Sequence, residues 1–216
     1  MGSIKNSLFA QYLLDSMEGP RVKDQYDIVL ISQFRTALLT SAPSQGLVEY
    51  EKTVRLLHSY LESHVGLRVS VAMFTASDDP NHDAEVLFHQ ERLGSLATLT
   101  PMSEDWMLSY HLTEQSKVVV SAYSTLAIES LARGRKALMC SSLYSEKFLD
   151  QPFTPDWTLL RMDQETFDEA ATKLLAMPRE DFLLRNSKSI NYVMISPREN
   201  STSEFIKEVF DQRPVH

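Results

Sequence analysis

The chain has 216 residues, 43% of them hydrophobic, enough to bury the core of one large domain, and no break in composition divides it. Its 29 acidic and 21 basic residues give a formal charge of -8, which excludes the broad basic face of a nucleic-acid binder and confines any anion site to a local feature. Cys140 is the only cysteine, so an internal disulfide and a multi-cysteine metal site are excluded and a reducing, cytoplasmic setting is expected.

In chain order, Asn6 to Met17 reads as an amphipathic helix ended by Gly19-Pro20. The stretch Leu8 to Leu14 is interrupted by Gln11, and no apolar run approaches the roughly 18 residues of a membrane span, so neither a signal peptide nor a transmembrane segment is expected. Asp27 to Gln33 (DIVLISQ) has the continuous apolar character of a strand buried on both faces. A polar loop with Pro43 and Gly46 leads to a helix from Val48 to His64, closed by Gly66, and then to a strand from Leu67 to Phe74. Asp83 to Arg92 is predicted helical with Gly94 as its stop, and Leu96 to Leu99 is a short strand. Ser103 to Gln115 is predicted helical with Ser103 as its cap, Lys117 to Ser121 is a buried strand, Tyr123 to Arg133 a helix capped by Gly134, and Lys136 to Cys140 a strand. Trp157 to Arg161 is the last predicted strand, followed by helices at Gln164 to Ala176, Arg179 to Ser189 and Thr202 to Asp211, punctuated by Pro178 and Pro197. Strands separated by single helices imply right-handed crossovers: an α/β, Rossmann-like domain with a doubly wound parallel sheet of about six strands and helices on both faces. The whole of 1–216 is expected to be one domain, with 1–19 and 178–216 as flanking helices. Such a sheet binds ligands beyond the carboxyl ends of its strands.

The chemistry concentrates in VVVSAYSTLAIESLARGRKALMC, residues 118–140, where a strand runs into a helix through Ser121, Ser124 and Thr125. The first turn of a helix has unpaired amides and the positive end of the dipole, so open amides converging on a phosphate are expected there. Glu129 lies four residues beyond Thr125, on the same helical face and about 6 Å along the axis, where a carboxylate could accept from ribose hydroxyls. The competing interpretation is ordinary capping by the hydroxyl residues, with Glu129 a solvated surface group. The six glycines are scattered, so neither the dinucleotide G-x-G-x-x-G nor the P-loop pattern is present.

The pattern S-x-x-S-T-x-x-x-E-x-L-A-R-G-x-K, read from Ser121 to Lys136, resembles the C-terminal, donor-binding domains of GT-B glycosyltransferases, closest to bacterial surface-carbohydrate (capsule and lipopolysaccharide) biosynthesis proteins. Gly2-Ser3-Ile4 and then Asp27 to Arg35, ending Ile31-Ser32-Gln33-Phe34-Arg35, follow the order of two further motifs of that group, so the resemblance covers residues 2–145. It implies that the chain is one half of a GT-B fold, and that Ser121, Ser124 and Thr125 contact donor phosphates, Glu129 the ribose, and Gln33 and Arg35 the donor from the loop after the first strand. Arg35 suits that role because a guanidinium grips a phosphate or carboxylate with two bonds, although a surface arginine on a loop needs no such function. The chain departs from the group at Met73-Phe74-Thr75, where a basic residue is common, and no catalytic base is assigned, since the acceptor half of such enzymes usually carries it. The implied partners are a nucleotide-sugar donor, a glycan or lipid-linked acceptor, and a second Rossmann-like domain or subunit carrying the acceptor site. No metal or other cofactor is implied, and the expected location is cytoplasmic, peripheral to the inner membrane face. A sugar-nucleotide epimerase of the same fold and a non-catalytic nucleotide-sugar-binding scaffold are the alternatives.

Other residues carry less. His82 and His89 are not at chelating spacing, His111 reads as structural, and Ser124 lacks the G-x-S-x-G context of a hydrolase nucleophile. Arg133 is expected to cap carbonyls beside Gly134, and Arg185 to Lys188 could meet a partner domain.

Overall fold

The computed structural model describes residues 4–15, 24–39, 43–103, 105, 107–142, 146, 155–159 and 161–194. Five runs of aliphatic and β-branched residues form its sheet: β1 (Tyr26–Ile31), β2 (Val69–Ala76), β3 (Thr98–Met102), β4 (Ser116–Ser121) and β5 (Lys136–Met139). All pair in parallel, in the order β3-β2-β1-β4-β5. Ile28 and Leu30 of β1 belong to the main core, whereas Val29 between them joins Ala72 and Leu112 in a second cluster. That alternation in a strand with no polar residue from Ile28 to Ile31 means both faces of the sheet are covered. β3 is an edge strand, which is why it tolerates Pro101.

The covering helices are α1 (Ile4–Asp15), α2 (Gln45–Ser63), α3 (His82–Leu93), α4 (Leu108–Glu114), α5 (Thr125–Ala132), α6 (Gln164–Ala176) and α7 (Arg179–Val193). α2 packs against α3 and α6 in one layer, and α5 packs against α4 and α7 in the other. Phe9 of α1 joins the second layer through Tyr110, at a ring separation of 5.0 Å. None of the described helices is long and apolar enough to cross a membrane. The chain is therefore a single α/β domain with a parallel sheet between two helical layers, wound in the Rossmann-like manner.

Local signals set several boundaries. Asp163 caps α6 by accepting from the Thr166 amide at 2.9 Å. Gly134, at φ +83, ends α5 in a Schellman arrangement: its amide donates to Leu131 O at 2.8 Å and the Arg135 amide to Ser130 O at 2.9 Å.

Two elements differ from expectation. The segment predicted as a sixth strand, Trp157 to Arg161, makes one bridge, Thr158 to Met139, so the sheet has five strands. β5 is only four residues long, and fully buried Trp157 draws its segment toward α7 through a 2.9 Å bond from Nε1 to Ser189 Oγ. The helix predicted from Ser103 begins at Leu108, because Asp105, not Ser103, receives the incoming amide, that of Met107 at 2.9 Å. The predicted helix Thr202 to Asp211 lies outside the described residues, as do Gly2 and Ser3.

β1 pairs with β2 on one side and β4 on the other, so the chain moves outward to β3 and returns to β4. The segment after β1 leads to the layer of α2, while the turn after β4 leads into α5 in the opposite layer. In doubly wound sheets the crevice that receives ligands lies at such a reversal, at the carboxyl edge between the two strands.

Candidate functional site

Gln33 ties the two sides of that crevice together. Its side chain is buried, and Oε1 accepts from the amides of Ala122 (3.1 Å) and Tyr123 (3.0 Å) and from Ser121 Oγ (3.2 Å). Ser121 Oγ accepts in turn from the Ser124 amide at 3.0 Å, and Ser124 Oγ caps α5 by accepting from the Leu126 amide at 3.2 Å. The amides expected to be open to a ligand are thus largely met by the protein's own side-chain oxygens. This corrects the picture of an empty cradle: the turn is a closed ring of short polar groups, and Thr125 stands exposed at its outer rim.

Arg35 is exposed beside it. Its guanidinium lies 3.5 Å above the Phe74 ring and donates to Phe34 O at 2.6 Å. Phe74 occupies the place where the resemblance leads one to expect a cation, and here it serves as a platform for one. Tyr123 completes the rim by packing over Gly46, where an added Cβ would lie 2.9 Å from the ring. Burial raises the Tyr123 phenol above its usual pKa, Arg35 opposing this and Glu49 adding to it.

Gln33, Arg35, Ser121, Ser124 and Thr125 are therefore gathered at one edge, and Glu129 is set apart from them. It lies one turn into α5, is 6% exposed, and its Oε2 accepts from the Tyr110 hydroxyl at 2.5 Å. Glu129 is not a solvated surface group, and it faces α4 while Thr125 faces solvent.

Two carboxylates to which the sequence assigns no part in this site shape the same edge. Glu85, fully buried, accepts from the amides of Phe74 (2.9 Å) and Thr75 (2.8 Å) and from the Ser32 hydroxyl, fastening the ends of β1 and β2 to α3. Glu49 on α2 accepts from Ser141 Oγ (2.6 Å), Ser142 Oγ (2.5 Å), the Ser142 amide (3.3 Å) and Gln45 Nε2 (3.4 Å). Burial pushes the Glu49 carboxyl up, but these donors outweigh it and hold the pKa below its usual value. Glu49 faces an open cleft of about 440 Å³ that Lys52, Ser142 and Met162 also line. The only signal for either residue was an acid in the opening turns of a predicted helix following a strand.

The histidines are structural in their contacts. His89 is fully buried, with Nε2 at 2.7 Å from Tyr50 Oη and Nδ1 at 2.9 Å from Glu85 O, and burial lowers its pKa. His82 Nδ1 lies 3.2 Å from Thr75 Oγ1, and His111 packs edge-on against Phe9 and Tyr12. Among the described residues no group of three His, Cys, Asp or Glu is placed to hold a metal ion. Cys140 is fully buried, and burial raises its thiol pKa. Arg133, expected to cap carbonyls, instead donates to Glu114 (2.7 Å), Thr113 Oγ1 (2.9 Å) and Asn6 Oδ1, joining α1, α4 and α5, and it is Arg179 that donates to the Arg133 and Gly134 carbonyls.

No protein-family model and no curated protein sequence matches the chain. Solved structures do. UDP-GlcNAc 2-epimerase from Neisseria meningitidis, bound to UDP-GlcNAc, is similar with a TM-score of 0.56 at 13% identity over 97% of this chain and 53% of that one. The co-structure of S. aureus MnaA with UDP is similar with a TM-score of 0.55 at 12% identity over 94% of this chain and 48% of that one. The chain spans about half the length of the solved structures it matches. At these identities the likeness is one of fold: the domain matches a Rossmann-like half of a GT-B-like architecture.

Proposed function

We propose that the chain is a nucleotide-sugar-binding domain whose carboxyl-edge crevice receives the phosphates of a UDP-linked sugar. The observation that carries this is the ring locked by Gln33 at the reversal of strand order, with Arg35 and Thr125 exposed on its rim. In this proposal Thr125, Ser124 and Arg35 meet the phosphates, aided by the positive end of α5, while Gln33 and Ser121 hold the turn in shape. Glu129, buried against Tyr110, meets the ribose in this proposal by exchanging the tyrosine bond for one from a ribose hydroxyl. No metal or further cofactor is invoked.

Two reactions fit such a domain. In glycosyl transfer to a glycan or lipid-linked acceptor in surface polysaccharide synthesis, the site stabilises the charge growing on the departing nucleotide. In epimerisation, the same crevice holds the nucleotide sugar while the sugar is inverted, and the likeness to the Neisseria enzyme favours this reaction over transfer. Either needs a second Rossmann-like domain or subunit, which would contribute the catalytic base.

Calorimetric titration with UDP-, GDP-, CMP- and CDP-linked sugars tests the binding claim: saturable binding of the UDP compounds is expected, and binding of none overturns it. Glu129→Ala should weaken UDP-sugar binding by about 1–3 kcal/mol, and an unchanged affinity removes its ribose role. Incubating UDP-GlcNAc with the chain and a partner half, in EDTA, separates the reactions. A new 2-epimer signal by NMR without an acceptor supports epimerisation, whereas turnover only with acceptor supports transfer.

A further inference from the structure

At the opposite edge of the sheet, where β4 and β5 begin, an open cleft of about 290 Å³ is lined by Lys117, Arg135, Lys136, Arg179, Met177 and Asp24. Four cations around one cavity are unexpected in a chain of net charge -8. The two inner ones are more than nine-tenths buried, Arg135 at 9% exposure and Lys136 at 8%. Lys136 Nζ donates to Leu174 O and Met177 O, both at 2.6 Å, at the carbonyl end of α6, and no carboxylate among the described residues pairs with it. An ammonium has three protons to donate, so one remains. Arg135 donates through one terminal nitrogen to Asp24 Oδ1 (2.7 Å) and to Ser116 O, while its buried Nε has no hydrogen-bond partner and lies 4.0 Å from a Glu114 carboxylate oxygen.

The outer cations are Lys117, 2.8 Å from Asp27, which also serves Arg68 at 3.3 Å, and Arg179, which donates to Gly134 O (2.8 Å) and Arg133 O (3.1 Å). Carboxylates already meet part of this charge: Asp24 in the cleft pairs with Arg135, Asp27 pairs with Lys117, and Glu114 lies 4.0 Å from Arg135, while Glu180 and Asp181 in the first turn of α7 are exposed and so screened by solvent. Burial lowers the Lys136 pKa, Asp24 raises it, and Arg135 and Lys117 lower it further, so the cations repel one another across the cavity. Positive charge held in partly desolvated space is best relieved by a compact anion that accepts several hydrogen bonds at once.

We propose that this cleft binds a small phosphate-class anion, either inorganic phosphate or a phosphate monoester, at a site separate from the carboxyl-edge crevice and independent of the function proposed above. Its volume, roughly that of ten water molecules, is ample for a phosphate or diphosphate group. The full chain would be titrated separately with orthophosphate, pyrophosphate and glycerol 3-phosphate by calorimetry, the preferred ligand distinguishing inorganic from ester phosphate. Saturable binding is expected, weakened about tenfold by Lys117→Gln and by Arg179→Gln, both exposed positions, and unchanged by Arg55→Gln, an exposed cation of α2 that lines neither site. No saturable binding of any of the three anions, affinity indifferent to both charge variants, or an equal loss in Arg55→Gln would each overturn the proposal.

Discussion

The two edges of the sheet satisfy their buried charges by opposite means. At the amino edge carboxylates meet cations: Asp27 faces Lys117 and Arg68, Glu114 faces Arg133, and Asp24 faces Arg135. At the carboxyl edge they meet neutral donors: Glu85 takes two amides and a serine, and Glu49 serines, an amide and a glutamine. Helix geometry accounts for the division. Helices that return antiparallel to a parallel sheet bring their carbonyl ends, which attract cations, to the amino edge, and their amide ends, which themselves neutralise anions, to the carboxyl edge. An anionic ligand at the carboxyl edge is therefore received by a dipolar surface with Arg35 as an added charge, whereas one at the amino edge would meet full side-chain cations.

Substitutions at the two edges should differ in size if this division holds. Removing a charge at the amino edge has the largest expected effect: Arg133→Met leaves Glu114 buried with only Arg135 at 4.0 Å, and urea unfolding should show a loss of about 3–5 kcal/mol. A loss under about 1 kcal/mol would mean the edge does not depend on its ion pairs. At the carboxyl edge, Gln33→Leu strands the Ala122 and Tyr123 amides and should cost about 1–3 kcal/mol in the same assay, with UDP-sugar affinity falling as the turn loosens. Gly46→Ala sets a methyl 2.9 Å from the half-buried Tyr123 ring, which can shift outward, so about 1 kcal/mol at most is expected.

The smallest effect is confined to acid. Burial pushes the Asp27 carboxyl up, but its bonds to Lys117 and Arg68 outweigh burial and hold its folded pKa below the ordinary 3.8. A lowered folded value means the stabilisation is complete above the unfolded pKa and is lost as pH falls through the folded one. Unfolding midpoints measured between about pH 5 and 2 should fall less steeply for Asp27→Asn than for the parent. Parallel curves would show that Asp27 is not held by its cations.

Much of the architecture could be read from residue patterns. IVLI and VVV, short, β-branched and bounded by polar residues, read as strands buried on both faces, Asp163 and Gly134 mark helix ends by local chemistry, and the alternation of strand and helix implies a parallel sheet. The hydroxyl-rich turn from Ser121 to Thr125 was also legible, because a strand running into a helix leaves few other uses for such residues. Its closure was not, because the oxygen that fills it belongs to Gln33, nearly ninety residues earlier and brought alongside only by the pairing of β1 with β4.

Local order, then, decided the elements and their ends, since helix and strand periods and capping depend on neighbours a few residues away. The packing of the layers decided which polar groups find one another. Periodicity placed Glu129 on the face of Thr125 but could not tell that Tyr110 would lie against it, nor that Lys117, Arg135, Lys136 and Arg179 would surround one cleft. Hydrogen-bond satisfaction and charge balance are sums over contacts distant in the chain, and they take a value only once the sheet has chosen its strand order.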